Sequence, residues 1–483
     1  MRRYHISAPS LPVPALGMLS ALLAIAAIVF GGATREGELL NAGVRILALV
    51  VLLLAVFQLS RFDARTEWRR PLILAAAIAL LPLLQLVPLP PLIWSHLPGR
   101  GEIAALYDAA GMPVPWHGLG LDPEGGLNAA FALLPGLAMF MVGLSLNTRS
   151  RLQVAIVAAI FAFAGTLLGI AQVADGRESL LRLYETTNAS AAVGFFSNRN
   201  HQASLQLVAM PLVAVICLAW TRRAPWRRAA AMVMGAGLMM TLAVATALSE
   251  SRAGMVLYLP VVAACVLMAV RDRLPRWSAR AVLLALASAV LVVGLVAGGA
   301  LWSRPDIIDA LASDARLRAL PVIATEAFRN LPFGTGLGTF DEVFRSREAV
   351  ESLSNAYLNH AHNDYLEVAL ETGLPGLALV VLFLAWFARR GGDAWARRGV
   401  DGDLACAGAI IVATLALHSL VDYPLRTGAL SALFGFACAL MLPYAGQVPD
   451  RSSAALPEAP GQPRGERLPR GTRTRAWIPG RDR

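Results

Sequence analysis

The sequence predicts an all-α, polytopic membrane protein, and three observations carry the prediction. Apolar runs recur along the whole chain at close to the ~20 residues that a helix needs to cross a bilayer. Charged residues make up only 15% of the 483, where about 25% is usual, and the mean hydropathy is +0.58. The formal net charge of +10 comes from arginine alone, since the chain has no lysine, and the arginines gather in short connectors and the C-terminal tail. That is the distribution of a chain oriented by the positive-inside rule, so the basic charge does not point to a nucleic-acid partner.

Twelve candidate spans follow in order: 12–30, 42–60, 71–90, 128–146, 152–173, 202–220, 229–248, 254–270, 281–302, 366–388, 404–420 and 428–443. Placing the N-terminus in the cytoplasm puts Arg61–Arg70, Asn147–Arg151, Thr221–Arg228, Arg271–Arg280 and Arg389–Arg398 on the inner side, with the basic C-terminal tail. Each of these connectors is short and arginine-rich, which fits that orientation. Met1-Arg-Arg ahead of the first apolar run reads as a retained span rather than a cleaved leader. The outer segments are then 91–128, 175–201, the tight turn 249–254, the large loop 303–365 between the ninth and tenth spans, and 418–426. Most of the unusual polar residues fall in these segments, so chemistry is expected on the outer, periplasmic face. Residues 1–445 read as the membrane domain, with the motif-bearing part at about 190–380; residues 446–483, rich in Pro, Gly, Ser and Arg, read as a disordered basic cytoplasmic tail. Cys217, Cys265, Cys406 and Cys438 all sit in apolar runs with no metal-ligand spacing, and read as small core residues.

The segment richest in chemistry is His360-Ala-His-Asn-Asp-Tyr-Leu-Glu-Val-Ala-Leu-Glu-Thr-Gly-Leu-Pro-Gly376, which leads from the large loop into an apolar run. Polar groups at the edge of a lipid-soluble segment are costly and tend to line a reaction path. A helix starting near His360 would set its positive end against an imidazolium and favour the neutral ring that a general base needs. Asn363, Glu367 and Glu371 recur at i, i+4, i+8 on one face. A metal held by His360-x-His362 and these carboxylates, or a histidine that only caps the helix, are the other readings.

Four further motifs stand beside their plainer alternatives. Ser249-Glu-Ser-Arg-Ala-Gly254 places Arg252 at the mouth of a helical hairpin, either to grip phosphate oxygens or merely to snorkel at the interface. Asp314-Ala-Arg-Leu-Arg318 offers a second anion clamp at Arg316 or Arg318, or a solvated loop, ahead of an amphipathic helix over Leu320–Asn330. Gly334-Thr-Gly-Leu-Gly-Thr-Phe340 lacks the spacing of a nucleotide loop and reads as a close-packed turn. Phe195-Phe-Ser-Asn-Arg-Asn-His-Gln-Ala203 opens the sixth span with Asn198, Arg199, Asn200 and His201, which either bind sugar hydroxyls or cap the helix.

Taken in order, these motifs resemble the O-antigen ligase and Wzy-type polymerase superfamily. His362-Asn363, Gly373 and Gly376 follow that family's signature, its Ser-Arg-x-Gly setting falls on Ser251 and Arg252, and its second arginine falls on Arg316. The segments Phe195–Ala203, with Asn198 and Asn200, and His418–Arg426, with Asp422, are also similar. Leu320 stands where the family commonly has an aromatic, and the threonine and glutamine of some ligases are missing after Gly376.

The resemblance implies a GT-C-like membrane fold and metal-independent, inverting glycosyl transfer with no cofactor, at the periplasmic face of the bacterial inner membrane. The donor would be a glycan on undecaprenyl pyrophosphate, and the acceptor a hydroxyl of a saccharide, of lipid A-core or of a protein. Arg252 and Arg316 would hold the pyrophosphate and His362 would take the acceptor proton, supported by Asn363, Ser251, Asn198, Asn200 and Asp422. Two other functions are a protein O-oligosaccharyltransferase and a small-anion transporter, the latter calling for mid-bilayer charges and an internal repeat that the sequence does not display.

Overall fold

A computed structural model describes residues 12–33, 38–62, 66–186, 188–273, 315–348 and 358–446. Among these the regular structure is helical, apart from one isolated bridge between Leu89 and His117. Among the described residues nine helices are long and apolar enough to cross a membrane, with the stretch Pro123–Ser145 counted as one, as expected of a polytopic membrane protein. They coincide with nine of the twelve candidate spans. The candidate span 281–302 and the tail from 447 onward lie outside the described residues, as do 303–314 and 349–357 of the large loop.

The helices in chain order are α1 (Val13–Phe30), α2 (Glu38–Leu59), α3 (Thr66–Gln85), α4 (Pro91–Trp94), α5 (Gly101–Ala109), α6 (Pro123–Ala132), α7 (Leu134–Ser145) and α8 (Thr148–Asp175). They continue with α9 (Arg199–Arg223), α10 (Arg228–Leu248), α11 (Arg252–Val270), α12 (Ala315–Arg329), α13 (Phe340–Arg345), α14 (Asp364–Ala396), α15 (Gly399–His418) and α16 (Gly428–Leu440). Two candidate spans differ from expectation. α3 keeps the expected length but is shifted toward the N-terminus, and it stops at Gln85 because Pro88, Pro90 and Pro91 cannot continue its hydrogen-bond ladder. α16 has only 13 residues, about 20 Å of helix, and is enclosed by α1, α7 and α15.

The most enclosed spans are α9 and α15, which pack on each other; α9 also touches α8, α10 and α11. Burial on most sides explains why α9 is apolar almost all round below its polar first turns. At the N-terminal end of α9, Ser197 N–H donates to Gly32 O, and Ala429 N–H donates to Gly31 O. The ends of α1, α9 and α16 therefore meet at one end of the bundle.

The arginine-rich connectors converge on the opposite end. Arg222 and Arg271 both hold Asp403, each at 2.8 Å, and Arg398 lies 3.5 Å from Asp272. Arg151 is buried and donates to Gly143 O and Leu442 O. Paired with carboxylates and carbonyls, these cations act as fasteners between helix ends.

Beyond the bundle, α12 and α13 pack on the first turns of α14 through a small core that includes Ile323, Ala327, Phe340, Phe344 and Leu370. The glycine turn at 334–338 is wedged there, with Gly334, Gly336 and Gly338 all at positive φ, so it is the close-packed turn the sequence indicated. A Cβ on Gly334 would come within 2.6 Å of the Glu371 backbone. From the other side, Arg100 is buried and donates to Asn330 Oδ1, Leu119 O and Gly334 O, joining the 91–122 segment to this turn.

Gly373 breaks α14 near its start (φ +58°, ψ −144°) and lets the Pro332 carbonyl approach where a side chain would overlap it. Gly373→Ala is therefore expected to lower the melting temperature of the detergent-purified protein, by strain of about 1–3 kcal/mol plus the clash. An unchanged melting temperature would contradict this role.

Candidate functional site

α14 starts later than the sequence indicated. Asn363 is its N-cap, accepting from Leu366 N–H at 3.0 Å, and the helix begins at Asp364 rather than near His360. His362 sits just outside in a left-handed conformation (φ +49°), which turns it away from the helix and toward the connector between α15 and α16. There its Nδ1–H donates to Asp422 Oδ1 at 2.9 Å. Asp422 is fully buried while the His362 side chain keeps 9% exposure. Burial alone would push the Asp422 carboxyl up, but the His362 hydrogen bond and the surrounding histidines bring it below the usual range. An ionised carboxylate on Nδ1 leaves Nε2 as the free, basic nitrogen of His362.

Tyr423 organises the space around this pair. Its ring lies 4.8 Å from His362, 4.4 Å from His360 and 4.9 Å from His201. Its hydroxyl donates to Asn359 Oδ1 at 3.3 Å and also interacts with Asn198. Burial pushes the phenol above its ordinary range, so it stays a neutral donor.

The side chains of the metal reading take other partners. His360 Nδ1 pairs with Glu367 Oε1 at 2.7 Å, while His362 turns to Asp422. Among the described residues no three His, Cys, Asp or Glu side chains form a group that could hold a metal ion. Glu367 and Glu371 instead bind Arg426, at 3.1 and 3.0 Å, and Asp364 lies 3.4 Å from the same guanidinium. Burial opposes the charge on Arg426, yet the three carboxylates hold its pKa above the usual value. Glu371 also accepts from Gly338 N–H at 3.0 Å, tying the glycine turn to the cluster.

The other residues picked out in the sequence fall around this centre. Asn198 caps α9, accepting from Asn200 N–H at 2.8 Å, and also reaches Tyr423; Asn200 is buried in the first turn. His201 is fully buried with its Nε2 4.0 Å from Asp422 Oδ2, so direct sugar binding by His201 gives way to an internal role. Ser251 caps α11, accepting from Gly254 N–H at 3.1 Å, and leaves Arg252 exposed on the first turn. Gly254 brings that turn against α9, since a Cβ there would lie 2.7 Å from the Ala203 Cβ. Arg199 and Glu250 close the same gap with an ion pair at 2.9 Å.

The amphipathic helix is α12, which starts before Leu320 and carries both arginines in its first turn. Arg316 is half-buried and its charge acts on the Tyr423 phenol, whereas Arg318 is exposed. The structure therefore brings Arg316, rather than Arg318, toward the His362 centre.

The sequence reading passed over the individual roles of His418, Tyr423 and Arg426. A signal was present: His418, Asp422 and Arg426 recur every fourth residue, a costly polar stripe between two apolar runs. On the His360 and Arg426 side a cavity of about 520 Å³ runs down α14, past Val368, Leu379 and Phe383, between α3, α7 and α16. Its polar mouth and apolar walls suit an amphiphile.

Arg426→Gln leaves three buried carboxylates without their cation. It should destabilise the protein by about 3–5 kcal/mol, seen as a large drop in melting temperature, with Arg426→Lys between the two. Equal stability of Arg426→Gln and the wild type would contradict the assignment.

Residues 237–381 match the family model described as O-antigen ligase. The match runs from α10 to the middle of α14 and bears out the resemblance over that stretch, within which Arg252, Arg316 and His362 lie. His201, Asp422 and Arg426 lie outside it and join it through the contacts above. No curated protein matches the chain.

Proposed function

We propose, with the O-antigen ligase match as premise, that the chain is an inverting membrane glycosyltransferase. It moves a glycan from undecaprenyl pyrophosphate to a hydroxyl acceptor at the periplasmic face of the inner membrane. The observation that carries this reading is the His362–Asp422 pair, set at the same end of the bundle as two arginine-bearing helix starts. The acceptor oxygen attacks the anomeric carbon, the bond from that carbon to the pyrophosphate oxygen breaks, and His362 Nε2 takes the acceptor proton. Arg252 and Arg316 offset the charge that develops on the departing pyrophosphate. Asp422 keeps the Nδ1–H tautomer in place and stabilises the imidazolium. The cavity along α14 offers room for part of a lipid-linked substrate. Asn198, Asn363 and Ser251 act through the backbone, as caps that set where α9, α14 and α11 begin, and Asn200 supplies the N–H that the Asn198 cap accepts.

In a deletion strain, wild-type protein should restore a surface glycan that His362→Ala and Arg252→Ala do not. Losing a general base typically costs about 10²–10⁴-fold in rate, which is enough to abolish the product. Arg316→Ala should behave like Arg252→Ala, and Arg318→Ala like the wild type. Scoring lipopolysaccharide banding, capsule and protein glycosylation together identifies the acceptor, a protein-only loss indicating an O-oligosaccharyltransferase. Normal glycans with both His362→Ala and Arg252→Ala would overturn the reading.

The orientation follows from arginine placement, with both termini cytoplasmic, twelve spans including 281–302, and the large loop outside. Trp116 and Trp226 are both exposed, on connectors assigned to opposite sides. A membrane-impermeant maleimide should label Trp116→Cys in intact spheroplasts, but Trp226→Cys only after the membrane is opened. The reverse pattern would invert the topology.

A further inference from the structure

His201 holds a position that the catalytic reading does not use. It is fully buried in the first turn of α9, and neither ring nitrogen has a hydrogen-bond partner. Asp422 Oδ2, 4.0 Å from His201 Nε2, is likewise without a partner, while Asp422 Oδ1 is bound to His362. A buried donor or acceptor left unsatisfied is costly, so two such groups facing each other are each other's natural partner. Packing alone gives no reason for a histidine, because the walls are the edges of Phe196 and Tyr423, at 6.1 and 4.9 Å, and a phenyl ring would fill them without burying two polar nitrogens.

We propose that His201 is a positioning residue that donates an N–H to the second oxygen of Asp422 and thereby sets how firmly the first oxygen holds His362. This inference rests on the reading of His362 as the base. A carboxylate with a donor on each oxygen shares its charge between them. With the His201 donor removed, more of that charge falls on Oδ1 and the His362 imidazolium is favoured. The ring then gives up its proton less readily, and at neutral pH less of it is in the form that accepts one. The charged and titratable groups that face His201 are Asp422, Tyr423, His418, His362 and His360. His418 is engaged by Ser204 through Nδ1 at 2.7 Å, with its Nε2 unpaired, and His360 by Glu367 at 2.7 Å; of these groups Asp422 is the one hydrogen-bonded to His362.

The test reads His362 itself. Diethyl pyrocarbonate reacts with neutral imidazole, and the His362 and His360 side chains keep 9% and 18% exposure while His201 and His418 are fully buried. Modification of the full-length protein across a pH series, resolved by peptide mass spectrometry, gives a midpoint for each ring. In His201→Phe the His362 midpoint should move up by about one pH unit, while that of His360 moves less. His201→Gln, which keeps an N–H, should lie closer to the wild type. His201→Leu, which also lacks a donor, serves where the Phe variant does not fold. An unchanged His362 midpoint in the donor-less variants would overturn the proposal, as would a Gln variant that shifts as far as they do. Because the readout is the reactivity of one ring, the test stands apart from transferase activity: absence of transfer by the wild type would count against the function and leave this coupling measurable.

Discussion

The Arg426 guanidinium sets the frame on which the site depends. Three carboxylates in the first turns of α14 are buried, and a buried charge is tolerated only when paired and hydrogen-bonded. Their cation comes from the connector between α15 and α16. Pairing them draws that connector against the start of α14, and Asp422, one turn earlier on the same connector, then lies beside His362. Asp364 adds a second tie, since its backbone N–H donates to Ser419 O and its carboxylate accepts from the Ser419 hydroxyl. The same short segment thus supplies the structural cation and the carboxylate that orients the candidate base.

Arginine does different work at the two ends of the bundle. At the end away from His362, Arg151, Arg222 and Arg271 are committed to carbonyls and carboxylates between helix termini. At the His362 end Arg252 is exposed on the first turn of α11, where a helix start itself favours anions. A planar, permanently charged fork in that setting suits a pyrophosphate better than a fastener would. Around His362 the buried Asp422 takes Nδ1, and the Tyr423 ring and the capped start of α14 hold the imidazole without competing for its Nε2.

Much of this was legible in the sequence. Long apolar runs announced nine spans because span length is fixed by the bilayer rather than by tertiary contacts. The arginine, glycine and histidine motifs were legible because each has a spacing set by local geometry. The rest depends on contacts that sequence distance hides. Glu367 and Glu371 read as a supporting helix face, but their partner Arg426 lies 55 residues or more further on. The start of α14 was misplaced by a few residues because His362 takes a left-handed backbone that no local pattern signalled. Asn198 and His201 allowed both capping and sugar contact; the structure makes Asn198 a cap and buries His201, because α9 is enclosed by four other helices.

The central claim is that one imidazole, held by Asp422, drives transfer of a glycan from a lipid pyrophosphate to a hydroxyl. Its most direct test uses purified protein in proteoliposomes with a defined undecaprenyl-pyrophosphate disaccharide and candidate hydroxyl acceptors. The account predicts release of undecaprenyl pyrophosphate only when acceptor is present, matched one for one by glycosylated acceptor with the anomeric configuration inverted. Retention of that configuration, or release of the carrier by folded protein at the same rate with and without acceptor, would contradict it.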